Sequence, residues 1–154
     1  MNRHQNPPIK AFTSGRCYRR DTPDATHTPV FHQMDCIAID KNISFSDLKW
    51  TLYTLVEGIF GRKMKLRFRP SYFPFTTPSA EVDIAWIKNG EEKWLEILGA
   101  GMMRPEVLKA GGIDPEQYSG FAFGIGLERV AMLSYEIEDI RYFYNNHQQF
   151  LNYF

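Results

Sequence analysis

Cysteine is scarce in this 154-residue chain, with Cys17 and Cys36 as the only two. Two thiols so placed make neither a disulfide framework nor a metal-ligand motif. Both fall in expected strands and read as reduced core residues. No apolar run approaches the ~18 residues of a membrane span, and no signal peptide opens the chain. An excess of one charge is also missing, because 18 basic residues balance 18 acidic ones. A strongly basic nucleic-acid surface is therefore not indicated, and any RNA contact has to be local or made through a partner chain. Repeats and low-complexity segments are lacking too. These absences point to a soluble, cytoplasmic chain with no membrane partner, long enough to bury one core.

What the chain does hold is apolar and ring-rich, with 44% hydrophobic and 15% aromatic residues. A polar lead-in over residues 1–8 ends in Pro7-Pro8, and short strands are expected at 9–12 and 16–20 around a Thr13-Ser14-Gly15 turn. Residues 21–29 are loop chemistry, and 30–40 a further strand. Ser44 opens a helix with Asp47 three residues on as a capping box, and Gly61 stops it. Its apolar positions Phe45, Leu48, Leu52, Leu55, Val56 and Ile59 follow helical spacing. The alternation in 63–69 predicts a half-buried strand. Two more strands are expected at 79–88 and 92–98 about an Asn89-Gly90 turn, then helices near 104–110, 124–134 and 139–152. Hairpin-linked strands with helices between and after them favour an α+β fold, an antiparallel sheet flanked by helices.

Four elements carry candidate chemistry. The run Gly120-Phe121-Ala122-Phe123-Gly124-Ile125-Gly126-Leu127-Glu128-Arg129 sets an arginine at a helix start behind glycines. Glycine permits close backbone approach, the helix start offers free N–H groups, and Arg129 adds a fixed cation. Together these suit a polyphosphate, although a glycine-packed helix with a surface arginine remains the alternative on this motif alone. The spacing lacks the third glycine and the acidic ribose partner of a dinucleotide loop, so that reading is rejected.

In the second element, Arg19 and Arg20 alternate across a strand, and His27 lies in an exposed loop. Phe31, Gln33 and Asp35 project a ring, an amide and a carboxylate in one row, suited to a small ligand with an ammonium and an aromatic part. In the third, Arg69 to Phe75, two prolines predict a kinked edge segment. There Phe73 and Phe75 make an aromatic wall or pack in the core. The fourth is Glu96, a lone acid in an apolar strand that ends in small residues. Such a carboxylate needs an arginine, a backbone amide or Mg²⁺ as partner.

The stretch from Gly15 to Gln33 (GRCYRRDTPDATHTPVFHQ), with RPSYFPF, WLEILGAGM and GFAFGIGLER, resembles the catalytic core of the phenylalanyl-tRNA synthetase α subunit, a class II aminoacyl-tRNA synthetase. The resemblance covers about residues 6–154 and implies one partial catalytic domain over 1–154. Its motif 2 region would lie at about 15–40 and its motif 3 region at about 120–134. It implies an ATP-dependent, AMP-forming ligase that activates phenylalanine and passes it to tRNA. By the same resemblance, Arg19 and Arg129 are catalytic, on the α- and γ-phosphates of ATP. Phe31 would stack on adenine, His27 would lie near the triphosphate, and Glu96 would meet the ATP magnesium. Gln33, Asp35, Phe73, Phe75, Ala122 and Gly124 would form the phenylalanine pocket. A β subunit or self-association is implied as well.

Departures from the family pattern accompany it. Asp35-Cys36 stands where glutamate and glycine are usual, and Thr77 where a glutamate usually follows Phe-Pro-Phe-Thr. Motif 1 and the further upstream substrate-binding segment have no counterpart in the chain. Three readings follow: a catalytic core, a phenylalanine- or ATP-binding or subunit-docking module without catalysis, and a structural remnant.

Overall fold

The computed structural model describes residues 6–88 and 90–152. Packing divides the chain into two compact units, one running through Thr13 and over Asp35–Ile125, the other Ser14–Met34 and from Gly126 onward. Six strands contribute to the first unit: β1 (Ile9–Tyr18), β2 (Val30–Asp40), β3 (Leu66–Ser71), β4 (Thr76–Lys88), β5 (Glu91–Met103) and β6 (Ser119–Gly126). They form one sheet in the order β1-β2-β6-β5-β4-β3, with β3 through β6 paired antiparallel. This is the expected antiparallel architecture with helices.

Helix α1 (Phe45–Phe60) keeps its sequence-read limits. The Ser44 hydroxyl accepts from the Asp47 N–H while the Asp47 carboxylate accepts from the Ser44 N–H, and Gly61 closes the helix at φ 65°. Its stripe of Leu48, Leu52 and Val56 is fully buried, each side chain contributing about 2 kcal/mol of transfer free energy. Phe45 and Tyr53 of α1 lie 6.4 and 6.1 Å from the ring of Phe68 in β3. Directly paired strand residues share a face, so Val82 and Ile84, opposite Phe68 and Leu66, also face α1. Arg67, Arg69, Glu81 and Asp83 consequently lie on the other face.

Several strands differ from the sequence expectation, each because distant neighbours decide the pairing. Residues 9–18 form one strand without a turn at Thr13-Ser14-Gly15. β5 continues through Gly99-Ala100-Gly101 to Met103 instead of ending in those small residues. Gly120–Gly126 belongs to β6, so the helix expected from 124 begins at Leu127. At Gly120 an added Cβ would stand 2.7 Å from the Ala38 carbonyl oxygen, so close strand contact selects glycine there. Asn89 lies outside the described residues, and Gly90 has the positive φ of 80° expected of its turn. Helix α2 (Pro105–Ala110) matches the expected short helix. Cys17 and Cys36 are free thiols but only half-buried, not fully in the core.

The second unit holds the outer parts of β1 and β2, the 19–29 loop, α3 (Leu127–Ser134), a 3-10 turn at Ile140–Phe143 and α4 (Gln148–Leu151). The loop is fastened by Arg19 N–H to the Pro29 carbonyl and Ile140 N–H to the Ala25 carbonyl, both at 2.9 Å. The single helix expected over 139–152 is broken, since Asn146 sits at φ 49°, a conformation no α-helix accommodates. Among the described residues, no helix is long and apolar enough to cross a membrane.

Candidate active site

In the second unit, Arg129 stands in the first turn of α3, as its sequence position requires. The preceding Gly126 has an ordinary extended backbone at φ −77°, so this glycine is not serving a left-handed turn. Arg129 Nη2 lies 3.4 Å from His27 Nε2. The other ring nitrogen of His27 is 3.1 Å from both Asp24 carboxylate oxygens. An Nδ1–H donated to Asp24 leaves Nε2 free to accept from the guanidinium. The Thr26 N–H, followed by the His27 ring, holds the Asp24 carboxyl well below the usual carboxylate range. His27 is thus exposed, as expected, but held in place. Arg19 lies over the Phe31 ring, 5.1 Å from its centroid, and Gln33 is half-buried two residues further along β2.

A second set of contacts in this unit centres on Glu128, which is only 7% exposed. Its two oxygens accept from the His32 backbone N–H at 3.0 and 2.8 Å, and one accepts from the His32 ring Nδ1 at 2.7 Å. The Tyr144 hydroxyl donates to the same carboxylate. Burial acts to raise the Glu128 carboxyl, but the bonds from Tyr144 and His32 outweigh it and hold the group below its usual value. Burial, and then the bond to Glu128, push the Tyr144 hydroxyl above its ordinary value.

In the first unit, Phe73 and Phe75 stack with centroids 6.1 Å apart and planes 14° apart. They lie in the turn between β3 and β4, which Arg104 fastens by donating its backbone N–H to the Phe75 carbonyl at 3.1 Å. The register pairs Gly99 with Gly124 and Gly101 with Ala122, so four small residues share one sheet face. A Cβ on Gly99 would meet the Phe73 ring at 2.7 Å. The Phe73 ring, stacked on Phe75, therefore lies over Gly99, whereas Thr76 and Pro78 cover Gly101. Asp35, on β2, is exposed. The Cys36 thiol beside it is raised by burial and then by the Asp35 charge.

The same sheet face carries a ladder of charge. Asp83, 2% exposed, accepts from Arg67 at 2.9 and 2.7 Å through one oxygen, and from Arg69 at 2.7 and 2.9 Å through both. Arg69 also lies 2.9 Å from Glu81 and 3.6 Å from Glu96, while Arg67 covers the Trp94 ring at 4.5 Å. The bond from Arg69 keeps Asp83 below the usual carboxylate range, burial opposing it, and Arg67 assists. The expectation of a buried Glu96 is corrected, since its side chain is 44% exposed. A register shift between Val82 and Asp83 leaves Ile97 buried between Glu96 and Leu98. Among the described residues, no group of three or more histidine, cysteine or acidic side chains is arranged to hold a metal ion.

Sequence reasoning missed Asp83 as the buried acid and Glu128 as an anchoring one. A signal existed for each. Asp83 sits between Val82 and Ile84 in an apolar run, opposite an Arg-x-Arg strand, and Glu128 is an acid with Ala131 and Met132 following at helical spacing.

A family model described as tRNA synthetases class II core domain (F) matches residues 1–154. The Phenylalanine--tRNA ligase alpha subunit of Latilactobacillus sakei is 57% identical over 97% of this chain and 45% of its own length. That of Desulfotalea psychrophila is 55% identical over 97% of this chain and 46% of its own, and that of Alkaliphilus metalliredigens 51% over 97% and 47%. The chain spans about half the length of the curated relatives it matches. A pyrrolysyl-tRNA synthetase from Desulfitobacterium hafniense shares the fold at a TM-score of 0.62 and 18% identity, over 92% of this chain and 47% of that one.

Proposed function

The chain belongs to the family of class II tRNA synthetase core domains, and we propose that within it the chain is the catalytic core of a phenylalanine–tRNA ligase α subunit. The observation that carries this reading is 51–57% identity over 97% of the chain to the α subunits named above.

The reaction runs in two steps. A phenylalanine carboxylate oxygen attacks the α-phosphorus of ATP, the bond from that phosphorus to the bridging oxygen breaks, and pyrophosphate leaves. A hydroxyl of the terminal ribose of tRNA then attacks the adenylate carbonyl, and AMP leaves. Arg19 holds the α-phosphate and the attacking carboxylate, and Arg129 the γ-phosphate. Planar, permanently charged forks suit both tasks, since catalysis of this kind rests on neutralising and aligning phosphate oxygens. Phe31 stacks on adenine, and His27 faces the triphosphate beside Arg129.

Phe73 and Phe75, with Ala122 and Gly124 on the sheet face below, are assigned to the phenyl group of the substrate. Gln33 and Asp35, alternate residues of β2, are assigned to the ammonium. Ala122 is assigned to the floor of the phenyl pocket, where a larger side chain would take the space of the ring.

The half-exposed Glu96 carboxylate fits a magnesium ion that arrives with ATP, because magnesium takes one or two carboxylates and completes its shell with phosphate and water. When bound, the ion neutralises charge on the phosphates. Phenylalanine, tRNA and a β subunit are the proposed partners, and the cytoplasm the proposed location.

The test is phenylalanine-dependent ATP–pyrophosphate exchange by the full-length subunit carrying this chain, assembled with the partner it copurifies with. Exchange that falls by roughly a hundredfold or more in Arg129→Ala, the size seen on removing one transition-state donor, supports the reading. Binding of ATP and phenylalanine with no exchange overturns it.

A further inference from the structure

We infer that Glu128 is a positioning residue for ATP: it sets Arg129 relative to the adenine-stacking strand by anchoring the first turn of α3 to β2 at His32. The inference rests on the ligase reading and adds to it a residue that touches no substrate.

The geometry is specific. Glu128 precedes Arg129, and His32 lies between Phe31 and Gln33. Both carboxylate oxygens take the His32 backbone N–H, at 3.0 and 2.8 Å, across 96 residues of sequence. The His32 ring at 2.7 Å and the Tyr144 hydroxyl complete the shell, so the carboxylate is held from three directions. A carboxylate at a helix start is stabilised by the helix field, but that effect asks for no partner in a strand. Here the acid instead points inward and bonds to the main chain next to Phe31. Through this link the Cα positions that carry Arg129 and Phe31 are fixed relative to each other. Arg19, over the Phe31 ring at 5.1 Å, is tied into the same frame.

A purely structural role makes a different prediction from a positioning role. A structural anchor lowers stability but leaves a folded variant with its ordinary affinity for ATP. A positioning anchor raises the KM for ATP and spares that for phenylalanine.

The experiment uses the full-length assembled subunit, thermal melting, and ATP–pyrophosphate exchange with each substrate varied. Glu128→Gln keeps the shape, loses the charge and turns a donor toward donors. It is expected to raise the KM for ATP roughly tenfold, the size of one charge-assisted bond, with the KM for phenylalanine within about twofold. Glu128→Asp, which keeps the charge on a shorter arm, is expected to fall between wild type and Glu128→Gln. A folded Glu128→Gln with unchanged KM for ATP overturns the inference, as does an equal rise for both substrates. If Glu128→Gln does not fold, Tyr144→Phe leaves the His32 bonds in place. A rise of about threefold confined to ATP then supports the inference, and no rise overturns it.

Calorimetry of ATP binding adds a second check. If Glu128 acts through Arg129, then Glu128→Gln adds little in an Arg129→Ala background, whereas fully additive losses overturn the coupling. Absence of exchange by the wild-type assembly removes the ligase reading and this inference with it. Normal wild-type exchange with an unaltered Glu128→Gln removes the inference alone.

Discussion

The ring of Phe73 lies so close over Gly99 that a Cβ on that glycine would stand 2.7 Å from the ring tip. The atom met is the far end of a side chain at a half-open edge, so Gly99→Ala is expected to fold with the ring displaced. Phe73 and Phe75 would then lose their parallel stack, and the KM for phenylalanine is expected to rise by roughly tenfold, about the value of a ring contact and its burial. Gly101 provides the contrast, because a Cβ there meets Thr76 at 2.6 Å and the Pro78 carbonyl oxygen at 2.7 Å. Main chain cannot swing aside, so Gly101→Ala is expected to cost about 2 kcal/mol of stability through overpacking. Exchange kinetics of the first variant and melting of the second check the pair, and equal effects from both would remove the distinction.

Asp83 presents a stability test with a defined pH window. Two arginines bond to a carboxylate that is 2% exposed, and Asp83→Asn removes the charge while keeping the shape. Both guanidinium groups are half-exposed and regain water, so the expected loss is about 2 kcal/mol, below that of a fully buried pair. Its folded carboxyl lies below the ordinary value, chiefly because Arg69 donates to it. The charge therefore stabilises fully above the unfolded value of about 4, and that stability is lost as pH falls further through the folded value. Melts of wild type and Asp83→Asn are expected to differ by a constant amount from pH 5 to 7 and to converge below about pH 4.

The start of α1 is a third, purely local prediction. Ser44 and Asp47 satisfy one another's backbone N–H groups, and neither lies in the candidate site. Ser44→Ala is expected to cost about 1 kcal/mol, or about 3 °C in Tm for a chain of this size, with exchange unchanged. A drop in activity at constant Tm would contradict the assignment of this helix to the scaffold.

What was legible in the sequence divides along local and distant causes. The limits of α1 are written in its own residues, since capping, apolar spacing and Gly61 all act within a few positions. Arg129 in a first helical turn and the pairing of Phe73 with Phe75 were likewise readable. Gly99 and Gly101 read as a strand end because glycine has low strand propensity, and no strand is read over Gly120. In the fold they are strand interiors, selected by Phe73, Thr76 and the Ala38 carbonyl pressing against them. Thr13-Ser14-Gly15 reads as a turn for the same reason and is carried straight by its place in β1. The exposure of Glu96 depends on the β4–β5 register, in which Ile97 of β5 is skipped, and the burial of Glu128 on Tyr144 and His32. None of those partners is local.

Phe31 yields the prediction that bears most directly on ATP. Its ring has Arg19 over it, 5.1 Å from the centroid, and on the ligase reading it stacks on adenine. Phe31→Leu preserves apolar volume but removes the π surface, so both the stacking and the cation–π attraction are lost. Each contributes about 1 kcal/mol, which places the expected rise in the KM for ATP between fivefold and fiftyfold or roughly so. Phe31→Tyr keeps the ring and is expected to stay within about threefold of wild type. Exchange measured with ATP varied at saturating phenylalanine checks both variants. A Leu variant that matches the Tyr variant would show that the ring packs the strand and does not meet the nucleotide.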